Sequence, residues 1–262
     1  MNFIISANTD IGLVKETNQD SLSVMSLSTP IGPMVFAILC DGMGGLSKGE
    51  VASGAVVRAF RDWAEKSLPN LCNSEPEDHV IRQQWVDLIK EQNDRIKHYG
   101  DLESDRLGEL VRLGTTAVIM LLTQTRYYIL NVGDSRAYEI DNYSIRQITT
   151  DHTLVAMEVA LGHLTEEEAR VDPRRNVLIQ SIGSTESVSP EMFFGDVRQD
   201  AVYMLCSDGF RHEITEEEIK EAFSPSGLSS FGDMKQAGES LIELNKRRME
   251  RDNISVVLVR TY

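Results

Sequence analysis

The sequence has no apolar run long enough to cross a bilayer, which takes about 20 residues. Its longest such runs, Val118–Leu122 and Ile254–Val259 among them, fall far short. Met1–Asn8 lacks the basic start and long apolar stretch of a signal peptide, so none is expected. Cysteine is scarce: Cys40, Cys72 and Cys206 are an odd number without a CxxC spacing, and offer neither a disulfide framework nor a zinc-binding pair. Cys40 and Cys206 each end an apolar run and read as small buried hydrophobes. A reducing, cytoplasmic compartment is expected. Basic charge is short as well, with 26 Lys+Arg against 41 Asp+Glu and a net charge of −15. An acidic surface of this kind repels polyphosphate, which argues against nucleic acid as a partner and against docking on anionic membranes. No repeat, low-complexity tract or Pro/Gly/Ser-rich linker divides the chain, so residues 1–262 are expected to form a single domain, as a monomer.

Short β-rich runs are abundant: Phe3–Ser6, Ser21–Ser26, Met34–Leu39, Thr116–Leu122, Tyr127–Val132, Ala137–Ile140, Ile145–Ile148, Val202–Cys206 and Ile254–Arg260. Several are joined by loops of about four residues, which favours antiparallel hairpins over parallel crossovers. Helical periodicity runs over Gly49–Leu68 and Asp78–Tyr99, and in shorter pieces at Thr165–Arg170, Thr215–Phe223 and Met234–Glu250. Thr165 and Thr215 each precede three glutamates and fit helix N-caps with acids in the first turn. Ser224–Gly232 reads as a loop. The order of elements points to an α+β fold of two packed antiparallel β-sheets with helices outside.

Aspartates recur at the ends of these strands. Asp41 lies in Leu39-Cys-Asp-Gly-Met-Gly-Gly45, Asp134 in Asn131-Val-Gly-Asp-Ser-Arg136 and Asp208 in Leu205-Cys-Ser-Asp-Gly209, while Asp252 and Asp20 each open a strand. An acid at a strand end can face a shared cleft while its strand stays in the core, and a neighbouring glycine lets backbone approach a ligand. Carboxylates and carbonyls without Cys or His suit oxygen-preferring Mg²⁺ or Mn²⁺ rather than Zn²⁺. A single Asp-Gly is most often only a turn; the repetition is what points to an oxygen-ligand metal site.

The ordered series Asn18-Gln-Asp20, Asp41-Gly-Met-Gly-Gly45, Gly49-Glu-Val-Ala-Ser53, Gly114-Thr-Thr-Ala117, Val132-Gly-Asp-Ser-Arg136, Asp151-His-Thr-Leu154, Cys206-Ser-Asp-Gly209 and Asp252-Asn-Ile-Ser-Val256 resembles the PPM family, the metal-dependent, protein phosphatase 2C-like Ser/Thr phosphatases, in its bacterial form. The resemblance spans about Asn8 to Val259. It implies a β-sandwich flanked by pairs of α-helices, with two and up to three Mn²⁺ or Mg²⁺ ions at one end. It also implies hydrolysis of phosphoserine and phosphothreonine on proteins by a hydroxide bridging two metals, with a Ser/Thr kinase or its substrate as the phosphorylated partner. By motif position, Asp41 bridges both metals, the Gly42 carbonyl, Asp208 and Asp252 complete their ligands, Asp134 helps hold a third ion and Asp20 supports the centre.

Some positions depart from the family pattern. Lys15 stands where a phosphate-gripping arginine is usual, which keeps the charge without the bidentate fork; it reads equally as a substrate-phosphate ligand or a surface lysine. Gln19 replaces an acid, Met43 a histidine found in eukaryotic members, and Met249-Glu-Arg251 the usual Gly-Gly before the last Asp-Asn. Gly162–Glu191 corresponds to the variable flap, and its Arg170, Arg174 and Arg175 are either a phosphoprotein-docking patch or solvated loop charges. Lys15 and Gln19 leave a phosphoprotein-binding regulatory module with weak or no turnover as the alternative, and small-phosphoester hydrolysis as a third reading.

Overall fold

Four consecutive layers, helix, sheet, sheet and helix, follow from strands that are buried on both faces. The computed structural model describes residues 1–44 and 48–262; Gly45, the last glycine of the Asp41 motif, lies outside the described residues. In chain order the strands are β1 (Phe3–Asp10), β2 (Asp20–Thr29), β3 (Gly32–Gly44), β4 (Leu113–Thr115), β5 (Ala117–Leu122) and β6 (Arg126–Val132). They continue with β7 (Arg136–Ile140), β8 (Ile145–Gln147), β9 (Glu191–Asp196), β10 (Val202–Cys206) and β11 (Ile254–Thr261). One sheet has the order β2-β3-β5-β6-β9, with β4 pairing the end of β3; the other has the order β1-β11-β10-β7-β8. Every pairing is antiparallel.

β3 shows how the layers arise. Val35, Ala37 and Leu39 face the second sheet and join Val118, Met120, Tyr203, Leu205 and Val257 in the central core. The alternate residues Met34, Phe36, Ile38 and Cys40 pack against the helices α1 (Gly49–Lys66) and α3 (Asp78–Leu107), with the four-residue α2 (Leu68–Leu71) between them. Trp85 of α3 stands at the centre of that layer, with ring centroids 5.5 Å from Trp63, 6.1 Å from Phe60 and 6.2 Å from Phe36. On the far side, Met204, Cys206, Val256 and Leu258 pack against α6 (Asp208–Arg211), α7 (Glu216–Ala222) and α8 (Phe231–Arg247). The remaining helices, α4 (Leu154–Ala160) and α5 (Glu166–Val171), belong to the segment that precedes β9.

The expected two-sheet α+β architecture is present, with differences at the margins. β9 was not expected, because Met192 to Gly195 of this edge strand are only half-buried and give no strong alternation. α3 runs past Tyr99 to Leu107 and stops at Gly108, whose φ of 73° is the left-handed C-terminal turn. α8 starts inside the expected loop, at Phe231, because the Ser230 hydroxyl accepts the Asp233 N–H. Thr165 and Thr215 both form full capping boxes with the third residue of their helices, Glu168 and Glu218.

The end of β3 meets the start of α1 without room for side chains. A Cβ at Gly42 falls 2.3 Å from the Gly49 carbonyl oxygen and 2.6 Å from that of Gln19. Gly42→Ala and Gly49→Ala are each expected to destabilise the protein by about 1–3 kcal/mol or more, because backbone rather than a flexible side chain must yield. Chemical unfolding in EDTA measures this, and a wild-type midpoint for both variants contradicts the close approach.

Candidate metal centre

The acids singled out in the sequence come from both sheets and meet at one end of the sandwich. Asp41 and Gly42 end β3, and Asp20 opens β2 directly opposite Asp41 in the ladder. Asp208 opens α6 immediately after β10, and Asp252 precedes β11, the neighbour of β10. Asp134 sits in the crossover from β6 in one sheet to β7 in the other. Gly209 presses on the Asp252 loop: a Cβ there falls 2.2 Å from the Asn253 carbonyl oxygen and 3.2 Å from Asp252 Cβ.

The remaining motif residues hold this backbone in place. Thr116 Oγ1 accepts the Asp41 N–H at 3.0 Å, while the Thr116 N–H and Thr115 Oγ1 both donate to the Asp41 carbonyl at 2.9 Å. Thr116 and Ser135 hydroxyls lie 2.7 Å apart, tying Asp41 to the crossover that carries Asp134. The Gln19 carbonyl accepts the Gly42 N–H at 3.2 Å and the Ser53 hydroxyl at 2.6 Å, and the Gln19 N–H donates to Asn253 Oδ1 at 2.9 Å. With its amide assigned in the orientation that satisfies both neighbours, the Gln19 side chain donates to the Gly42 carbonyl at 3.3 Å and accepts the Gly49 N–H at 3.2 Å. A carboxylate in that position has no proton to give the Gly42 carbonyl. His152 is likewise a strut, accepting the Gly133 N–H on Nδ1 at 3.2 Å.

Burial and mutual repulsion dominate the electrostatics. Burial, followed by the Asp20, Asp208, Asp252 and Asp134 charges, raises Asp41 well above the usual carboxylate value. Burial also lifts Asp20 to about 7, with Asp208 and Asp252 adding to it and the nearby Ser255 and Ser207 hydroxyls opposing. Asp134 rises to about 7, again through burial first and then Asp208. Both Asp20 oxygens and Oδ1 of Asp208 are buried without a hydrogen-bond partner in acceptable geometry. Such orphaned anions are costly unless a cation neutralises them.

Lys15 and two arginines are among the basic groups that reach the site. Lys15 Nζ lies 2.7 Å from Asp252 Oδ1. Burial acts to lower its pKa, but Asp252, Asp41 and Asp208 outweigh it and leave Lys15 above its usual value. Arg211 donates to the Asp134 carbonyl at 2.9 Å and sits 3.8 Å from Asp134 Oδ2 and 3.5 Å from Asp151 Oδ2. Arg136 clamps Asp151 through Nε and Nη2 at 2.9 and 2.8 Å, and the two arginines hold Asp151 below its usual value against the effect of burial. Arg211 went unnoticed in the sequence. Its only signal there is the three-residue spacing from Asp208, which one turn of helix brings to the same side. In the flap, Arg174 is committed to Asp172 at 2.8 Å, while Arg170 and Arg175 are exposed.

The donor set fits hard divalent cations: carboxylates and one backbone carbonyl, with no His or Cys among the sequence candidates. As they stand, no three Asp, Glu, His or Cys groups among the described residues are close enough to enclose one ion; Asp252 instead takes the Lys15 ammonium. The orphaned oxygens of Asp20 and Asp208 and the raised pKa values of Asp20, Asp41 and Asp134 mark the deficit of positive charge that such an ion would supply.

These shifts have a sign. Folded Asp20 and Asp134 keep their protons up to about pH 7, whereas unfolded aspartates release theirs near 3.8. Rising pH therefore strips protons from the folded state that the unfolded chain has already lost, and stability falls across that window. In EDTA the melting temperature is expected to drop between about pH 4 and pH 7, and Asp20→Asn to flatten the slope. A wild-type melting temperature that climbs steadily through this range contradicts the charge deficit.

Comparison with known proteins converges on one family. A family model described as protein phosphatase 2C matches residues 14–244. The serine/threonine phosphatase stp of Listeria monocytogenes is 33% identical over 252 residues, covering 96% of this chain and 93% of the relative. The serine/threonine protein phosphatase PstP of Mycobacterium tuberculosis is 32% identical over 97% of this chain and 44% of its own length. Among solved structures, the serine/threonine phosphatase Stp1 from Staphylococcus aureus has a TM-score of 0.83 at 30% identity, covering 100% of this chain and 96% of that one. A catalytic domain of PstP in complex with 2 manganese ions has a TM-score of 0.75 at 28% identity, covering 98% and 97%. Motif order, sheet topology and these likenesses agree, and the chain belongs to the protein phosphatase 2C family, the PPM-type serine/threonine protein phosphatases.

Proposed function

We propose that this chain hydrolyses phosphoserine and phosphothreonine on proteins, using Mn²⁺ or Mg²⁺ held by Asp41, the Gly42 carbonyl, Asp208 and Asp252. The observation that carries the reading is the set of buried and half-buried, like-charged and partly unpartnered carboxylates at the junction of the two sheets. When bound, such ions supply Lewis acidity, lower the pKa of water and neutralise phosphoryl charge. Asp41 faces the site from one sheet, and Asp208 and Asp252 face it from the other. Asp20 stands behind Asp41, and Asp134, steadied by Arg211, is placed to help hold a third ion. The absence of a side chain at Gly42 lets the Gly49 and Gln19 backbone close on the strand end that carries this carbonyl.

Lys15 is the group suited to orient the substrate phosphoryl. Its ammonium neutralises Asp252 at 2.7 Å; with a divalent ion on Asp252, it is free to donate to a phosphate oxygen. Cys40 does not serve as a nucleophile, because burial, with Asp20 and Asp41 nearby, pushes its thiol far up and its side chain belongs to the helix-side core. The same reading takes residues 1–262 as one catalytic domain, monomeric and cytoplasmic, acting on a Ser/Thr kinase or its phosphorylated substrate. No helix among the described residues is long and apolar enough to cross a membrane.

A phosphothreonine peptide is expected to release phosphate with Mn²⁺ and not in EDTA, and Asp208→Ala to lower kcat by ~100-fold or more. Unchanged turnover in Asp208→Ala overturns the ligand assignment; wild type that binds the peptide without turnover favours the regulatory-module alternative. Separately, Lys15→Ala is expected to raise KM about tenfold and Lys15→Arg to lower it. KM unchanged in both returns Lys15 to the role of a surface charge.

A further inference from the structure

Where relatives of this family carry Gly-Gly before the last Asp-Asn, this chain has Met249, Glu250 and Arg251, and the substitution is not a passive loop change. Met249 takes the left-handed conformation, with φ of 68°, that a glycine adopts freely. The turn it makes carries Glu250 inward, to 5% exposure. There Glu250 Oε1 accepts the N–H of Arg251 at 2.7 Å and of Asp252 at 2.8 Å. Its other oxygen lies 3.5 Å from His212 Nδ1, and His212 Nε2 lies 3.6 Å from Asp208 Oδ2. His212 is one helical turn beyond Asp208 and nearly buried, its side chain 12% exposed. A continuous chain of polar contacts therefore runs from the backbone of Asp252, through Glu250 and His212, to the carboxylate of Asp208.

We propose that Glu250 and His212 are positioning residues that brace Asp208 and Asp252 against each other, setting the separation at which the two carboxylates meet a divalent ion. Without the brace, two anions from neighbouring strands repel, and the Asp252 carboxylate is held by Lys15 at 2.7 Å and by the Asn253 N–H at 2.8 Å, both on Oδ1. Glu250 fixes the loop by capping two consecutive N–H groups, which a Gly-Gly turn leaves to backbone geometry alone. His212 passes that constraint to Asp208 and leaves the other oxygen, Oδ1, unpartnered. Outer partners that orient metal ligands typically contribute 10–100-fold in metal affinity.

The inference rests on Asp208 and Asp252 being metal ligands, and its test separates the two ideas. Mn²⁺ affinity is measured by calorimetry on wild type, Glu250→Gln, His212→Ala, the double variant and Asp208→Ala, with melting in EDTA reporting the fold. Glu250→Gln is isosteric and keeps an acceptor for the two N–H groups, so it tests the link to His212 without collapsing the turn. Each single variant is expected to weaken Mn²⁺ binding about 10-fold or more, and the double variant no further than the weaker single, because both cut one chain of contacts. Wild-type affinity in folded Glu250→Gln and His212→Ala, or losses that multiply in the double variant, overturns the brace. If Asp208→Ala also binds Mn²⁺ like wild type, it is the metal-ligand reading that has failed.

Discussion

Like charges held together out of water set the terms for the rest of this molecule. Asp20 and Asp134 raise the proton affinity of Asp41, and Asp208 raises that of all three, with Asp252 adding to the field at Asp41 and Asp20. Repulsion of that kind is tolerated only by a frame that cannot relax to relieve it. The frame here is backbone: a β-ladder placing Asp20 against Asp41, glycine contacts too close for a Cβ, and hydroxyls that hold Asp41 at both its N–H and its carbonyl. The acid excess of the whole chain is mostly ordinary solvated surface; at this junction a few acids are made expensive on purpose of position, not of number.

The frame also accounts for motif residues that touch no ligand. Ser53, Thr116, Asn253 and Gln19 each join segments distant in sequence at the point where β3, α1 and the loop before β11 cross. Gln19 shows that a residue departing from the family pattern can still be built into the frame. Oriented to satisfy both neighbours, its amide offers the Gly42 carbonyl a hydrogen-bond donor that the usual acid, when ionised, lacks, and it removes one negative charge from a crowded site. Asp151 and the two arginines beside it do the corresponding work for the crossover that carries Asp134.

What could be read in the sequence follows from how local each signal is. β3, β5 and β10 are short apolar runs ending in turn residues, and the strand-end aspartates stand beside glycine; both patterns lie within a few residues. Edge strand β9 could not be found this way, since burial on one half-covered face leaves little periodicity. The four-residue α6 is too short for any period, yet it decides where Asp208, Arg211 and His212 point. Glu250 carries no local signal because its partners, His212 and the neighbouring backbone, are brought together only by the turn at Met249. Lys15 was legible as a charge, whereas its place on Asp252 depends on the meeting of two loops.

The strand order carries a consequence for how the protein acquires its site. β11 is last in the chain but lies between β1 and β10, and among the described residues β1 has no other partner in its sheet. Asp10 pairs with Ile254, so closing that ladder brings together residues separated by about 240 positions, a slow step on entropic grounds. The β2–β3 hairpin that carries Asp20 and Asp41 can form early, while its acids are still hydrated. Asp252 reaches the site only when β11 closes the ladder, so its share of the repulsion is added to an Asp20–Asp41 pair that the hairpin already holds together.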